Sequence, residues 1–288
     1  MSVVQLAAGR RRPAAVLRLA GAGWAVVIAS VVVLGMIVCA IFAPLVAPHS
    51  PTAIDAIHVF AGSSSQHLLG TDDLGRDILS RLIYGARPSL AGPALVIVLS
   101  SIAGTALALI AGWWRGFMDA SISRAMDILF AFPGLILAVV AAAVFGAGFV
   151  APVLALSIAY TPVIARILRA AVIRERNLPY VEALQLQGAS GVGISLRHIL
   201  PNIAPLILVQ STVGFGYAML DLATISFLGL GIQPPAADWG TMAANGQPSI
   251  LNGDPQQAIY ASLTVLIAVV AVNVIGERFA RRFDIDAR

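Results

Sequence analysis

Catalysis and metal binding need nucleophiles, bases, soft ligands or phosphate-binding groups at workable spacing, and this chain of 288 residues offers few of them. Three of its four histidines, His49, His58 and His67, recur every nine residues. Nine matches neither helical nor strand periodicity, no cysteine accompanies them, and the intervening chain is rich in serine and glycine, so no metal site is expected. His198 stands alone and reads equally well as a packing residue. Cys39 is the only cysteine, which excludes a disulfide scaffold. The preceding Met36-Ile37-Val38 lacks the small residue of a lipid-attachment site, so Cys39 is read as a buried apolar side chain. There is no HExxH pattern and no paired nucleophile and base. All 18 basic residues are arginine. Without lysine the chain can build neither a phosphate-binding P-loop nor a Schiff base, so no catalytic residue and no cofactor are expected in it, and any energy must come from elsewhere.

The elements that hold these residues follow from composition. Hydrophobic residues make up 59% of the chain and charged ones 11%, against about 45–50% and about 25% in soluble domains. With a mean hydropathy of +0.89, there is too little polar surface to face water, so the chain is a membrane protein. Apolar runs long enough to cross about 30 Å of hydrocarbon predict six spans, near Ala22–Ala47, Ser89–Trp114, Ala125–Phe149, Ala151–Ile173, Pro201–Leu222 and Ala258–Gly276. The fold class is all-α and polytopic. Pro93, Pro133 and Pro162 are tolerable in bundled spans. Arg166 and Arg169 fall in the last turns of the fourth span and are expected to snorkel toward one surface. The first run is too long for the apolar region of a signal peptide and reads as an uncleaved anchor.

Six spans put Arg10, Arg11, Arg12, Arg18, Arg115, Arg124, Arg166, Arg169, Arg174, Arg176, Arg197, Arg278, Arg281, Arg282 and Arg288 on one side and only Arg76, Arg81 and Arg87 on the other. The positive-inside rule then places both termini in the cytoplasm. The chain divides into a tail and first span (1–47), an exterior loop (48–88) and a core of five spans (89–288).

At the end of the exterior loop Ile78, Leu79, Leu82 and Ile83 share one helical face, and Arg76, Asp77, Ser80 and Arg81 the other. This predicts an amphipathic helix in the outer interface, with an Asp77–Arg81 pair at i, i+4. In the interior connection, Pro179 suits a first helical turn, Glu182 an N-terminal half and Gly188 a stop, giving a two-turn helix. Ser190 can cap a second helix leading to Pro201. On residues alone, the short helix is either a connection or a docking element. Asp127 and Asp221 are the plausible acids for a proton-coupled transporter. Asp127 is expected to pair with Arg124, and Asp221 to reach water at the outer end of its helix. Gly112 to Gly116 spells GxxxG, but at the interface and around two tryptophans, and reads as a chance match.

Tyr180-Val181-Glu182-Ala183-Leu184, Gly188-Ala189-Ser190 and His198-Ile199-Leu200-Pro201-Asn202 together resemble the EAA signature of bacterial ABC-importer permeases. Leu184 stands where the second alanine is usual and makes the helix bulkier. Leu69-Gly70-Thr71-Asp72-Asp73-Leu74-Gly75-Arg76-Asp77, with Ser80 to Arg87, resembles an exterior motif of the peptide and nickel branch, DppC/OppC type. Ser226-Phe227-Leu228-Gly229-Leu230-Gly231, with Pro234, Pro235 and Trp239, resembles that branch's motif after the fifth span. The resemblance implies a type I permease fold in the bacterial cell membrane. It also implies a pore half that pairs with a second permease of DppB/OppB type, two cytoplasmic ATPases that bind ATP and magnesium, and an extracytoplasmic solute-binding protein, with no nucleic acid among its partners. It assigns Tyr180, Glu182, Ala183, Leu184, Gly188 and Ala189 to a helix that couples to the ATPases, and leaves the solute-binding residues unassigned. Di- or oligopeptides are the expected solute, with nickel or another small solute as the alternative.

Overall fold

A computed structural model describes residues 14–282, with side chains from residue 23 onward. Arg10, Arg11, Arg12 and Arg288 of the orientation argument lie outside the described residues, as does the side chain of Arg18. Helices are the only regular elements among the described residues, which form no strand, only an isolated bridge between Thr71 and Asp77.

The helices are α1 (Ala14–Ile41), α2 (Ala43–Val46), α3 (Ile78–Trp113), α4 (Phe117–Phe130), α5 (Gly134–Phe145), α6 (Val150–Arg176), α7 (Pro179–Leu186), α8 (Gly191–Ile194), α9 (Leu200–Phe227), α10 (Trp239–Asn245), α11 (Gln247–Leu251) and α12 (Gln256–Arg282). Five continuous helical stretches are long and apolar enough to cross a membrane, and a sixth span results if α4 and α5 count as one. These two are bent by 75° at the Ala131–Pro133 break. The predicted third span, Ala125–Phe149, is therefore a broken one. Pro133 cannot donate an amide hydrogen and forces Phe132 out of helical geometry.

Two other boundaries differ from those the apolar runs predict. The second span and the amphipathic helix before it are one helix, α3, whose 36 residues extend about 54 Å. Its first turns are not an interfacial helix with a wet face. Arg76, Asp77, Ser80 and Arg81 are all buried, because the exterior loop folds over them and supplies partners that helical periodicity cannot reveal. The fifth span likewise starts early, as α8 passes through a π-helical turn, Ser195–Ile199, straight into α9. The wide turn lies just before Pro201, which has no amide hydrogen and would crowd the carbonyl one α-turn back.

The most closely packed pair is α3 with α6. Gly104, Ala108 and Gly112 form a small-residue stripe on α3, and a Cβ at Gly104 or Gly112 would lie 2.9 Å from Ile164 Cγ2 or 2.5 Å from Val172 Cγ1. Without side chains there, the backbones approach closely, which in lipid replaces the missing hydrophobic drive with dispersion contact. The GxxxG from Gly112 to Gly116 is no such contact, since Gly116 has nothing within 4 Å and serves as the N-cap of α4 at φ 83°.

Arg166 and Arg169 do not simply snorkel. Arg169 makes a bidentate pair with Asp119 at 2.5 and 2.6 Å, and Arg166 reaches Asp127 at 2.6 Å, so both tie α6 to α4. Asp127 thus pairs with Arg166 rather than Arg124. Asp221 is half-buried and accepts a 2.9 Å hydrogen bond from the Tyr160 hydroxyl, rather than simply reaching water. His198 is exposed, and Cys39 is half-buried.

Candidate functional site

The interior connection is a rigid bracket. Pro179 opens α7 after the extended Leu178, whose position before proline disfavours helical backbone. Glu182 lies in its first turn. The helix ends in a Schellman arrangement, in which the Gly188 amide donates to Gln185 O at 2.9 Å and the Ala189 amide to Leu184 O at 3.1 Å. Gly188 has φ 82° and nothing within 4 Å of a notional Cβ, so backbone conformation alone calls for glycine here. Ser190 then caps α8 by accepting from the Gly193 amide at 3.2 Å, as its position predicts.

α7 is seated on one face and free on the other. Val181 is fully buried against a cluster that includes Leu168, Val172, Ile194 and Ile199, and Tyr180 and Leu184 pack against the same cluster. The bulk of Leu184 is therefore turned partly inward and does not simply enlarge the free tip. Tyr180 donates to Glu175 Oε2 at 2.9 Å, and Asn202 Nδ2 donates to the same oxygen at 3.1 Å, which joins α6, α7 and α9. Burial, with Glu175 alongside, pushes the Tyr180 hydroxyl pKa up. On the opposite face Glu182 and Ala183 are exposed, as are Gly188 and Ala189 in the turn that follows the helix. One fixing contact escaped sequence reasoning. A Cβ at Gly191 would overlap the Trp113 indole, so the end of α3 presses directly on the start of α8, and Arg176 stacks 5.4 Å above the same indole. The only signal for this was the tryptophan pair at the end of a span.

The two exterior motifs, about 150 residues apart in sequence, form one structure. Asp72 is fully buried and organises the first. Its Oδ1 accepts from the amides of Leu74 and Arg76, both at 2.9 Å, and its Oδ2 accepts from Arg76 Nε at 2.7 Å. Arg81 Nε lies 3.4 Å from the same oxygen, an ionic contact outside hydrogen-bond alignment, while its Nη1 donates to Pro51 O at 3.2 Å. Asp77 caps α3 through the Ser80 amide at 2.8 Å, and no side-chain pair joins it to Arg81. Burial raises the Asp77 carboxyl pKa, but bonds from Ser80 and His67 outweigh it and hold the group below its ordinary range. Gly70 and Gly75 have φ 79° and 73°, and a Cβ at Gly75 would overlap the Asp55 carbonyl.

The second motif closes on the first. Gly229 ends α9 in another Schellman arrangement, with Leu230 donating to Ile225 O at 3.1 Å. Gly231 lies against Ser226, with no room for a side chain. The exposed Pro234 and Pro235, joined by a cis peptide bond, lead to Asp238, which caps α10 and accepts from the Ser89 hydroxyl at 2.7 Å. Trp239, 1% exposed, donates from Nε1 to Leu82 O at 2.8 Å and lies on Gly85. Phe227 is partly exposed and takes no part in this lock. Motif residues Gly70, Asp72, Gly75, Arg76, Asp77 and Trp239 thus join the exterior loop, α3 and the segment after α9 into one block, while the α7 face lies on the interior connection.

Several apolar helices around a buried core, joined by a short helix bared on one side, define the class as a multi-pass helical membrane protein. Residues 104–288 match the family of binding-protein-dependent transport system inner membrane components, and the chain belongs to it. It is 40% identical over 259 residues to the di/tripeptide transport system permease protein DppC of Pseudomonas aeruginosa, covering 86% of this chain and 84% of the relative. It is 36% identical to the dipeptide transport system permease protein DppC of Alkalihalophilus pseudofirmus, covering 90% and 84%. Identity to the glutathione transport system permease protein GsiD of Pectobacterium atrosepticum is 37%, covering 90% and 86%. The chain is a permease subunit of an ABC importer, resident in the bacterial inner membrane, and its partners in general are ATPase and solute-binding components.

Proposed function

We propose that the chain forms half of the translocation path for di- or oligopeptides, paired with a homologous permease. In this reading one of two cytoplasmic ATPases docks on α7, the other docks on the paired permease, an extracytoplasmic protein delivers the solute, and both termini are cytoplasmic. The chain has no ATPase site of its own, and ATP and magnesium bind in the partner ATPases. One observation carries the docking role: Glu182 and Ala183 are bared on a helix whose other face is locked to α6 and α9, and Gly188 and Ala189 are bared in the turn that ends it. A flexible connector would transmit nothing, whereas a helix held by Val181, Tyr180 and Asn202 moves with the spans it joins. Closure of the ATPase dimer would push α7 as a lever and rock those spans between inward and outward openings. The names of the relatives favour peptides over nickel as the solute.

The test is solute-stimulated ATP hydrolysis by the assembled complex. Gly188→Val forces a branched side chain into left-handed backbone, at about 1–2 kcal/mol, and should reduce stimulation at least tenfold. Glu182→Ala should reduce it less, and both variants should insert and assemble normally. Full stimulation in both would reduce α7 to a connector.

A further inference from the structure

The nine-residue spacing of His49, His58 and His67 matches no regular element, yet the fold turns two of them toward one carboxylate. His67 Nδ1 lies 3.0 Å from Asp77 Oδ1, and His49 Nδ1 lies 3.9 Å from Asp77 Oδ2. The two imidazole rings are 4.9 Å apart. One ligand atom from each of the three residues lies within 4.8 Å of the other two. Donors bound at about 2.0–2.1 Å around a tetrahedral ion stand about 3.3 Å apart. The His67–Asp77 pair is already near that spacing, and the wider His49–Asp77 pair involves the most exposed of the three side chains.

The arrangement is built by the backbone as well as by the side chains. Asp77 is held by the Ser80 amide at 2.8 Å and the Ser80 hydroxyl at 2.6 Å, both on Oδ2. The His49 amide donates to the same Ser80 hydroxyl at 3.0 Å, which fixes where the His49 side chain starts. The side chains of Asp77, His67 and His49 are 1%, 12% and 41% exposed, so the group has a fixed floor and one open side for an ion and its completing water. The His58 ring lies 6.4 Å from that of His67 but is outside the ligand group, with Nδ1 committed to Asp55 Oδ2 at 2.7 Å.

We propose that His49, His67 and Asp77 form a site for a divalent transition-metal ion of the zinc type. Two imidazoles and one carboxylate suit zinc, nickel or cobalt and not magnesium or calcium, which prefer all-oxygen shells. The three ligands come from the chain leaving α2, the exterior loop and the cap of α3. The ion staples the loop to the start of α3, and water fills the remaining coordination position. This site is independent of the docking reading of α7, and the fate of either leaves the other standing.

The experiment uses the full chain purified in detergent, with its affinity tag removed and metals stripped by chelator, titrated with zinc chloride by calorimetry. One zinc per chain should bind with micromolar or tighter affinity. His49→Gln and His67→Gln should each weaken binding at least tenfold, and His58→Gln should leave it within twofold. Zinc should also slow amide hydrogen exchange over residues 48–77 in the unaltered chain and not in the double His49→Gln, His67→Gln variant. Failure of the unaltered chain to bind zinc would overturn the proposal, as would equal losses in all three variants.

Discussion

Asp72 holds two arginines at once, with Arg76 Nε at 2.7 Å and Arg81 Nε at 3.4 Å, and all three side chains are shielded from water. Removing the charge at such a site leaves Arg76 with only the partly exposed Asp73 and Arg81 with only the Pro51 carbonyl, a loss of about 3–5 kcal/mol for a broken buried pair. Asp73, whose side chain is 44% exposed, meets only the edge of Arg76 at 3.2 Å, and a pair of that kind is worth about 0–1 kcal/mol. Asp72→Asn should therefore lower the apparent Tm of the detergent-solubilised chain by several degrees, and Asp73→Asn by little. Equal effects in a paired thermal melt would show that the burial of Asp72 carries no energetic weight. The sequence identifies these residues by motif and gives them the wrong surroundings. An amphipathic count separates apolar from polar faces, but it cannot tell a polar face that meets water from one that meets a folded loop. The same blindness applies to the histidines, because a nine-residue interval says nothing about how a loop without regular structure folds back on itself.

At the scale of elements, local chemistry made much of the interior connection legible. Proline at the start of α7, an acid in its first turn, glycine at its end and serine at the next cap each act within one turn, and each is found where its spacing predicts. Contacts between distant elements were not legible. Trp239 reaching the Leu82 carbonyl, Gly191 against Trp113 and the Arg169–Asp119 pair depend on how helices cross, which periodicity along one helix does not encode. Span boundaries slipped for a related reason: hydropathy stops at the first charges, whereas α3 and the α8–α9 helix continue because those charges find partners or water. The orientation proposed for these elements has a direct check. With Cys39 replaced by serine, a cysteine placed at the exposed Ser64 should react with an impermeant maleimide added outside, and one at the exposed Gln185 only after permeabilisation. The reverse labelling pattern would invert the topology and remove α7 from the ATPase side.

Over the whole molecule, the absence of lysine and the isolation of the acids limit what the chain can do alone. It has no P-loop lysine for nucleotide, and Asp127 and Asp221 each already hold one neighbour, Arg166 and the Tyr160 hydroxyl. The family supplies the missing parts as separate ATPase and solute-binding components. The most direct test is uptake of a labelled dipeptide into proteoliposomes, comparing this chain alone under an imposed pH gradient with the complete complex supplied with ATP. Accumulation should require the second permease, the ATPases, the solute-binding protein and hydrolysable nucleotide together. Accumulation by the chain alone, driven by protons without nucleotide, would contradict the account.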